Sequence, residues 1–198
     1  MTARTPELQA FIDAFHAAIR ARVAPDSPAA AAAARIFAAL EVPGEQRPVQ
    51  PWRLACCTHL ARALDLAQQA GGVAAELARA FRALEPCLAW NVRGNAREVG
   101  EPFLSGHANA YFIGPGQLES RPEVMLGVSL VAPNILYPDH DHPPEEVYIA
   151  LSPGDWRQNA DAWVTPGIGG LVHNPPGIRH AMRAGAEPLL AAWCLWVG

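Results

Sequence analysis

The spacing of apolar residues changes near residue 86, and this change limits the folds that the chain can adopt. Before that point apolar residues recur at three- and four-residue steps, as at Leu8, Phe11 and Phe15, which is the period of an amphipathic helix. Beyond it, short apolar runs alternate with turns rich in Gly and Pro, which is typical of antiparallel strands. We predict an α+β fold, with a helical segment over residues 1–86 and a β domain over residues 87–198.

Start and stop signals divide the first part of the chain into four helices. Thr5 and Ser27 each precede a proline, which is the order of an N-cap residue followed by proline at the first helical position. A third helix is predicted over residues 53–69, ending at a Gly-Gly pair, and a fourth over residues 73–84. These helices carry too much apolar surface to stand alone, so we expect them to pack on the β domain.

The second part contains short apolar runs separated by turn signals. Strands of this kind, spaced about 8–12 residues apart, predict an antiparallel sandwich or barrel. The predicted strands are Asn109–Ile113, Glu123–Ala132, Glu146–Leu151, Ala162–Thr165, Gly169–His173, Ile178–Arg183 and Leu189–Val197.

Composition and charge exclude several classes of protein. The 198 residues are 51% hydrophobic, so the chain can bury a sizeable core and disorder is not expected. The net charge is −4 and the basic residues are scattered singly, which argues against nucleic acid as a partner. No apolar run approaches the ~20 residues that span a bilayer, and no signal-peptide pattern is visible. We expect a cytoplasmic protein away from membranes; its oligomeric state stays open, with a homodimer as one possibility.

Histidine and carboxylate residues cluster in two segments of the predicted β domain. The segment YPDHDHPPEEVY contains His140, His142 and Glu146, and the segment PPGIRH ends at His180. Side chains alternate along a strand, so His140 and His142 point the same way. Such groups on neighbouring strands can converge on one point, and they suit one divalent transition metal ion such as Zn²⁺, Fe²⁺ or Mn²⁺.

The two segments resemble the two sequence motifs of the cupin superfamily. The first motif, G-x5-HxH-x3-4-E-x6-G, is matched at its histidines and glutamate, with Asn134 in place of the first glycine and Gly154 one residue late. The second, G-x5-PxG-x2-H-x3-N, is matched from Gly169 to His180, with Ala184 in place of the final asparagine. The resemblance implies a jelly-roll-like antiparallel β-barrel that holds one metal ion between the motifs.

Within that superfamily the run Tyr-x4-His-x3-Glu-x-Tyr is similar to the dimethylsulfoniopropionate lyases of the DddQ type. The resemblance implies an enzyme that splits dimethylsulfoniopropionate, a small zwitterion, into dimethyl sulfide and acrylate by β-elimination. It implies three metal ligands, which are His142, Glu146 and His180. His140 is then an additional ligand or a near neighbour, and Tyr148 and Tyr137 lie beside the substrate.

The chemistry of this reaction suggests roles for the aromatic residues. Elimination removes a proton α to the carboxylate, and a metal ion on that carboxylate acts as a Lewis acid. A divalent cation favours the phenolate form of a nearby tyrosine, so we expect Tyr148 to be the general base, with Tyr137 as the alternative base or carboxylate anchor. The sulfonium group suits aromatic faces through cation–π attraction. The candidates for this contact are Trp156, Trp163, Trp193 and Trp196.

Two other functions stay open from the sequence. One is a different metal-dependent cupin enzyme, such as an Fe²⁺ dioxygenase or an isomerase, which needs no tyrosine two residues after the glutamate. The other is a cupin that binds a small ligand without turnover. The complete ligand set and the tyrosines argue against this last hypothesis.

Overall fold

Helices occupy most of the first part of the chain, as the apolar spacing predicts. In the computed structural model, which describes residues 3–198, they are α1 (Pro6–Arg20), α2 (Pro28–Ala39), α3 (Leu60–Ala70) and α4 (Gly72–Leu84). The Thr5 and Ser27 side chains accept hydrogen bonds from backbone N–H groups of the first helical turn, which confirms both predicted N-caps. The third predicted helix begins with a 3₁₀ turn, Ala55–His59, and a second 3₁₀ turn, Glu85–Cys87, follows α4.

Strands form two sheets in the described residues, with two short helices, α5 (Ala96–Val99) and α6 (Phe103–Gly106), before the third strand. The strands are β1 (Glu45–Gln46), β2 (Trp90–Asn91), β3 (His107–Ile113), β4 (Glu119–Ser120), β5 (Val124–Val131), β6 (Leu136–His140), β7 (Glu145–Ala150), β8 (Asp155–Gln158), β9 (Leu171–Asn174), β10 (His180–Arg183) and β11 (Leu189–Trp196). The large sheet has the order β1-β4-β3-β5-β11-β7-β9, with β2 paired to β3, and the small sheet has the order β6-β10-β8. Pairing is antiparallel except between β3 and β4. This arrangement confirms the predicted α+β fold.

Alternate residues of the large sheet face two different environments. The helix-facing side includes Phe112, Val147 and Ala192, and it shares one apolar core with α1–α4. For example, the Phe112 ring on β3 meets the Phe11 ring on α1 edge-on, with the ring centroids 4.8 Å apart. The opposite, cavity-facing side lies inside the barrel. The helices therefore pack on the sheet, as their apolar faces predict.

One predicted strand is wrong and the proposed boundary is crossed by contacts. Residues 162–165 form no strand; Val164 makes only an isolated bridge to Trp156, which lies in the unpredicted strand β8. Strand β1 belongs to the first part of the chain but pairs with β4 of the second part. The domain boundary at residue 86 thus stays a prediction. The helices and the large sheet share one apolar core across it. No helix within residues 3–198 has the length and apolar character needed to cross a membrane.

Candidate metal centre

Three histidines from the two motifs meet inside the barrel. His140 at the end of β6 pairs directly with His180 at the start of β10, and His142 lies in the turn between β6 and β7. One ring nitrogen from each histidine lies within 4.8 Å of the other two. Gly177, with φ +70°, donates its backbone N–H to the carbonyl oxygen of His142 at 3.0 Å. This bond ties the second motif to the first, in a left-handed conformation that favours glycine.

Each of the three imidazoles directs its Nδ1 atom at a backbone carbonyl oxygen. The distances are 3.0 Å from His140 to Pro138, 2.9 Å from His142 to Pro144 and 3.0 Å from His180 to Ile178. A carbonyl oxygen only accepts hydrogen bonds, so Nδ1 carries a proton, and in the neutral form of each ring Nε2 presents a lone pair. Metal-binding histidines are oriented in this way.

Glu146 adds a buried carboxylate to the cluster. Its Oε2 atom lies 3.3 Å from Nε2 of His142 and 3.3 Å from Nε2 of His180, and it accepts a 3.0 Å hydrogen bond from the Asn174 side chain. Burial alone would raise the pKa of Glu146, but hydrogen bonds from the protonated forms of His142 and His180, together with their positive charge, outweigh burial and hold that pKa at about 2. The carboxylate therefore stays charged beside the histidines.

The donor set fits one first-row divalent ion. Nε2 of His180 is buried and has no aligned hydrogen-bond partner among residues 3–198, although Glu146 lies close to it. A buried nitrogen without a hydrogen bond calls for another partner. Burial and the nearby His180 lower the pKa of His140 to about 3, so this imidazole is neutral and able to ligate. Neutral imidazoles with one carboxylate are ligands that Zn²⁺, Fe²⁺ and Mn²⁺ accept.

All three tyrosines of the chain border one cavity of about 240 Å³ next to the histidines. Tyr148 follows Glu146 on the same side of β7, and Tyr137 lies on β6; their exposed fractions are 3% and 4%. Burial raises the pKa of both phenols, and the Glu146 charge raises the pKa of Tyr148 further. The third tyrosine, Tyr111 on β3, was not among the predicted site residues. The cavity thus joins the histidine cluster to three phenols.

A chain of hydrogen bonds crosses the barrel wall from β11 to β6. Trp193 Nε1 donates to Ser129 Oγ at 3.0 Å, Ser129 Oγ donates to Asn109 Oδ1 at 2.7 Å, and Asn109 Nδ2 donates to Tyr137 Oη at 3.3 Å. A Cβ atom on Gly127 would lie 2.2 Å from the Trp193 ring, so glycine is required where the indole crosses β5. These contacts fix the indole and one phenol on the cavity wall.

The structure places the tryptophans predicted to contact the sulfonium group in different surroundings. Trp193 borders the cavity, whereas the Trp163 ring lies against the guanidinium groups of Arg157 and Arg183, whose central carbons are 4.8 and 4.4 Å from its centroid. The Trp196 ring lies under Arg35, also at 4.8 Å. Neither Trp163 nor Trp196 is therefore brought to the cavity with the tyrosines.

Trp156 lies near the cavity without bordering it. Its ring centroid is 6.2 Å from that of Tyr148, and it borders a separate pocket of about 350 Å³ between β8 and β9. Of the four candidate tryptophans, the structure thus places only Trp193 on the wall of the histidine cavity among the described residues.

Several polar residues on the cavity wall were missed by the sequence reasoning. They are Arg93, Asn109, Tyr111 and Ser129. A signal for two of them is present, because polar residues recur at every second position of β3 in HANAYFI, against an apolar alternate set. Arg93 lies in a loop, where no periodicity marks it.

The sequence matches the dimethylsulfoniopropionate lyase family over residues 29–191. A putative dimethylsulfoniopropionate lyase, DddL of Cereibacter sphaeroides, is 32% identical over 158 residues, which cover 79% of this chain and 62% of that protein. The chain thus spans less than two thirds of the length of DddL. The dimethylsulfoniopropionate lyase DddQ of Ruegeria pomeroyi is 28% identical over 163 residues, covering 82% of this chain and 79% of that protein.

Two solved structures have the same fold over nearly the whole chain. The crystal structure of the lyase DddQ from Ruegeria pomeroyi gives a TM-score of 0.69 at 22% identity, covering 98% of this chain and 93% of that one. A second structure, from the dimethylsulfoniopropionate lyases RdDddP and RnDddQII, gives a TM-score of 0.69 at 20% sequence identity. It covers 96% of this chain and 92% of that one. This likeness confirms N-terminal helices packed on a C-terminal cupin β-barrel. Since the family match covers well over half of the sequence, the chain belongs to the dimethylsulfoniopropionate lyase family.

Proposed function

We propose that this chain is a metal-dependent lyase that cleaves dimethylsulfoniopropionate into dimethyl sulfide and acrylate by β-elimination, with a tyrosine as general base. One observation carries the proposal: three histidines and a buried glutamate converge next to a cavity that buried tyrosines border. Family membership and the names of the relatives DddL and DddQ support the choice of substrate.

Four residues would hold the metal ion, namely His140, His142, Glu146 and His180. A divalent ion bound there supplies a Lewis acid for the substrate carboxylate and a positive charge that favours the phenolate of a nearby tyrosine. The protein contributes the orientation of the ligands, because backbone carbonyls hold each imidazole through Nδ1. The Asn174 amide holds the glutamate from the other side.

The cavity wall suits the cationic end of the substrate. Trp193 and Tyr111 meet edge-on with their centroids 5.1 Å apart, and both border the cavity. Aromatic faces attract a sulfonium group through the cation–π interaction, while Trp193 is held in place by its bond to Ser129. A substrate bound with its sulfur near these rings directs its carboxylate elsewhere in the cavity.

Tyr148 is the proposed base. Its phenolate oxygen takes the proton from the carbon next to the carboxylate, and the electrons of that C–H bond form the new double bond of acrylate. The carbon–sulfur bond breaks, its electron pair leaves with sulfur as neutral dimethyl sulfide, and the proton ends on Tyr148. Tyr137 is the alternative base or carboxylate anchor, because Asn109 donates a hydrogen bond to its oxygen and stabilises a charge there.

The test is to incubate purified protein with dimethylsulfoniopropionate and to measure dimethyl sulfide in the headspace. Zn²⁺, Fe²⁺ and Mn²⁺ are supplied in separate reactions, and metal content is measured on each sample. We expect release by the wild type, and loss of both metal and release in His180→Ala, because that imidazole is a buried ligand. His59→Ala, which changes a histidine outside the cavity, is the matched control. No release with any of these metals would refute the proposal.

A further inference from the structure

A loop after β2 brings one guanidinium group to the wall of the histidine cavity. The backbone N–H of Arg93 donates to Nε2 of His107 at 2.9 Å, and Nδ1 of that histidine donates to the carbonyl oxygen of Phe103 at 2.6 Å. The Arg93 Nε atom donates to the Asn95 side chain at 2.6 Å. The guanidinium carbon lies 5.9 Å from the Phe103 ring centroid and 5.6 Å from that of Tyr137. The backbone and the side chain of Arg93 are thus both held against the cavity wall.

Arg93 has no acidic partner within residues 3–198, and its Nη1 atom is buried without a hydrogen-bond acceptor. Other arginines of the barrel are paired: Arg157 contacts Asp139 at 2.7 Å and Arg183 contacts Asp155 at 2.9 Å. Burying a charged donor without a partner costs free energy, because the donor loses its hydrogen bonds to water. An anionic ligand would supply the acceptor that the described residues do not give to Nη1 of Arg93.

The cavity itself holds one acidic side chain, Glu146, and its Oε2 atom is already in contact with His142, His180 and Asn174. An anion for Arg93 has to arrive with a ligand. We propose that Arg93 is a carboxylate-binding residue of the substrate site and that it fixes which way round the substrate enters. The proposal rests on the proposed function for the identity of that ligand.

The charge of Arg93 sets the orientation of a zwitterion. The guanidinium attracts the carboxylate, which can accept two parallel hydrogen bonds from it, and it repels the sulfonium group. The sulfonium group then lies toward Trp193 and Tyr111 on the remaining cavity wall. A carboxylate has two oxygen atoms, so a contact with Arg93 leaves electron pairs on the carboxylate for the metal centre. Arg93 therefore favours small carboxylates over neutral or purely cationic compounds.

Two probes separate the two ends of the substrate without requiring turnover. Propionate carries the carboxylate alone and trimethylsulfonium carries the cation alone, and each is titrated into metal-loaded protein by calorimetry. In Arg93→Gln we expect propionate to bind about 10- to 100-fold more weakly, because a charge-assisted bond is lost. Trimethylsulfonium binding should be unchanged or tighter. A purely structural role for Arg93 would weaken both probes alike.

Arg97→Gln is the matched control, because Arg97 is exposed, makes no ion pair in the described part of the chain, and carries the same charge. It should bind both probes as the wild type does. Arg93→Met is the second variant: it keeps an unbranched apolar side chain beside Phe103 and guards against a failure of Arg93→Gln to fold. Propionate affinity equal to that of the wild type in a folded Arg93 variant would overturn the inference.

Headspace release measured on the same preparations separates this inference from the proposed function. If the wild type releases dimethyl sulfide, Arg93→Gln should raise KM more than it lowers kcat. Release by the wild type together with unchanged propionate binding in Arg93→Gln refutes the carboxylate contact alone. Absence of release, with propionate binding that still depends on Arg93, refutes the lyase function and supports the carboxylate contact.

Discussion

The two sides of the large sheet are both buried but differ chemically: the helix-facing side is mainly apolar, whereas the cavity-facing side mixes apolar and polar residues. On β7, Val147 and Ile149 of the helix-facing side are fully buried among apolar neighbours, while Glu146 and Tyr148 of the cavity-facing side are 3% exposed. Burial of apolar groups stabilises the fold, whereas burial of a carboxylate and a phenol costs free energy unless each is paired. Along these strands, residues at alternate positions therefore have different roles: one set stabilises the fold, and the other set forms the site.

The cavity-facing side of the sheet combines apolar packing with a chain of hydrogen bonds. The chain from Trp193 through Ser129 and Asn109 to Tyr137 joins residues of four strands. A buried polar network of this kind fixes the positions of its members when each polar atom has a partner. The helix-facing side needs no such order, because apolar contacts are not directional. Substitutions on the two sides should therefore separate activity from stability.

The largest difference between the effect on activity and the effect on stability is expected at Tyr148. Tyr148→Phe removes the proposed base and keeps the ring that fills the barrel, so turnover should fall by about 10²–10⁴-fold. Metal content and the free energy of unfolding should stay close to those of the wild type. Headspace assays, metal analysis and urea unfolding measure the three quantities. Loss of the metal would make Tyr148 a ligand, and full turnover would move the base to Tyr137.

At Ile149, the next residue of β7, we expect a loss of stability without a loss of turnover. Ile149→Ala opens a cavity in the core shared with the helices, so the free energy of unfolding should fall by about 2–5 kcal/mol. Turnover at a temperature where the variant is folded should change little, since Ile149 faces away from the site. Urea unfolding and the headspace assay provide the comparison. A loss of turnover in folded protein as large as that of Tyr148→Phe would show that the two faces of β7 do not separate stability from activity.

A second buried carboxylate, Glu119 on β4, provides a test outside the site. Burial alone would raise its pKa, but bonds from Arg4 and Arg121 outweigh burial and lower that pKa from 4.5 to about 2. A depressed pKa in the folded state adds stability that is complete above pH 4.5 and is lost as the pH falls toward 2. At 1.36 kcal/mol per pKa unit this contribution is on the order of 3 kcal/mol.

The measurement compares unfolding of the wild type and Glu119→Gln between pH 7 and pH 2. The wild type should be the more stable protein at pH 7, and the difference should shrink below pH 4.5 as the carboxylate becomes protonated. A difference that stays constant with pH would mean that the pKa of Glu119 is not depressed. Turnover at pH 7 should change little, because Glu119 does not border the cavity.

The smallest effect is expected in the hydrogen-bond chain. Ser129→Ala leaves Trp193 Nε1 and Asn109 Oδ1 without their partner, which should cost about 1–3 kcal/mol of stability. Turnover should fall a few-fold, because Asn109 is then less firmly held against Tyr137. Steady-state kinetics and urea unfolding measure both effects. A variant with unchanged kinetics would show that the chain supports stability alone.

Local signals predicted the helices more accurately than the strands. The caps at Thr5 and Ser27 depend on side chains within one turn, so they can be read directly from the sequence. The run at residues 162–165 appears apolar because of Trp163 and Val164, but the tryptophan packs against two guanidinium groups instead of joining a sheet. Strand β8, with the sequence DWRQ, was missed because its pairing with β10 overrides its polar composition.

The sequence by itself determined the helical and β parts of the chain and the histidine and glutamate set of the candidate metal centre. These features are encoded at short spacing, in periodicity, in HxH-x3-E and in PxGxxH, which strand alternation and tight turns translate directly into geometry. Only the tertiary structure decided that Arg93, Tyr111 and Trp193 share the cavity and that Trp163 does not. Those residues come from segments far apart in the chain, and only the long-range pairing of strands brings them together.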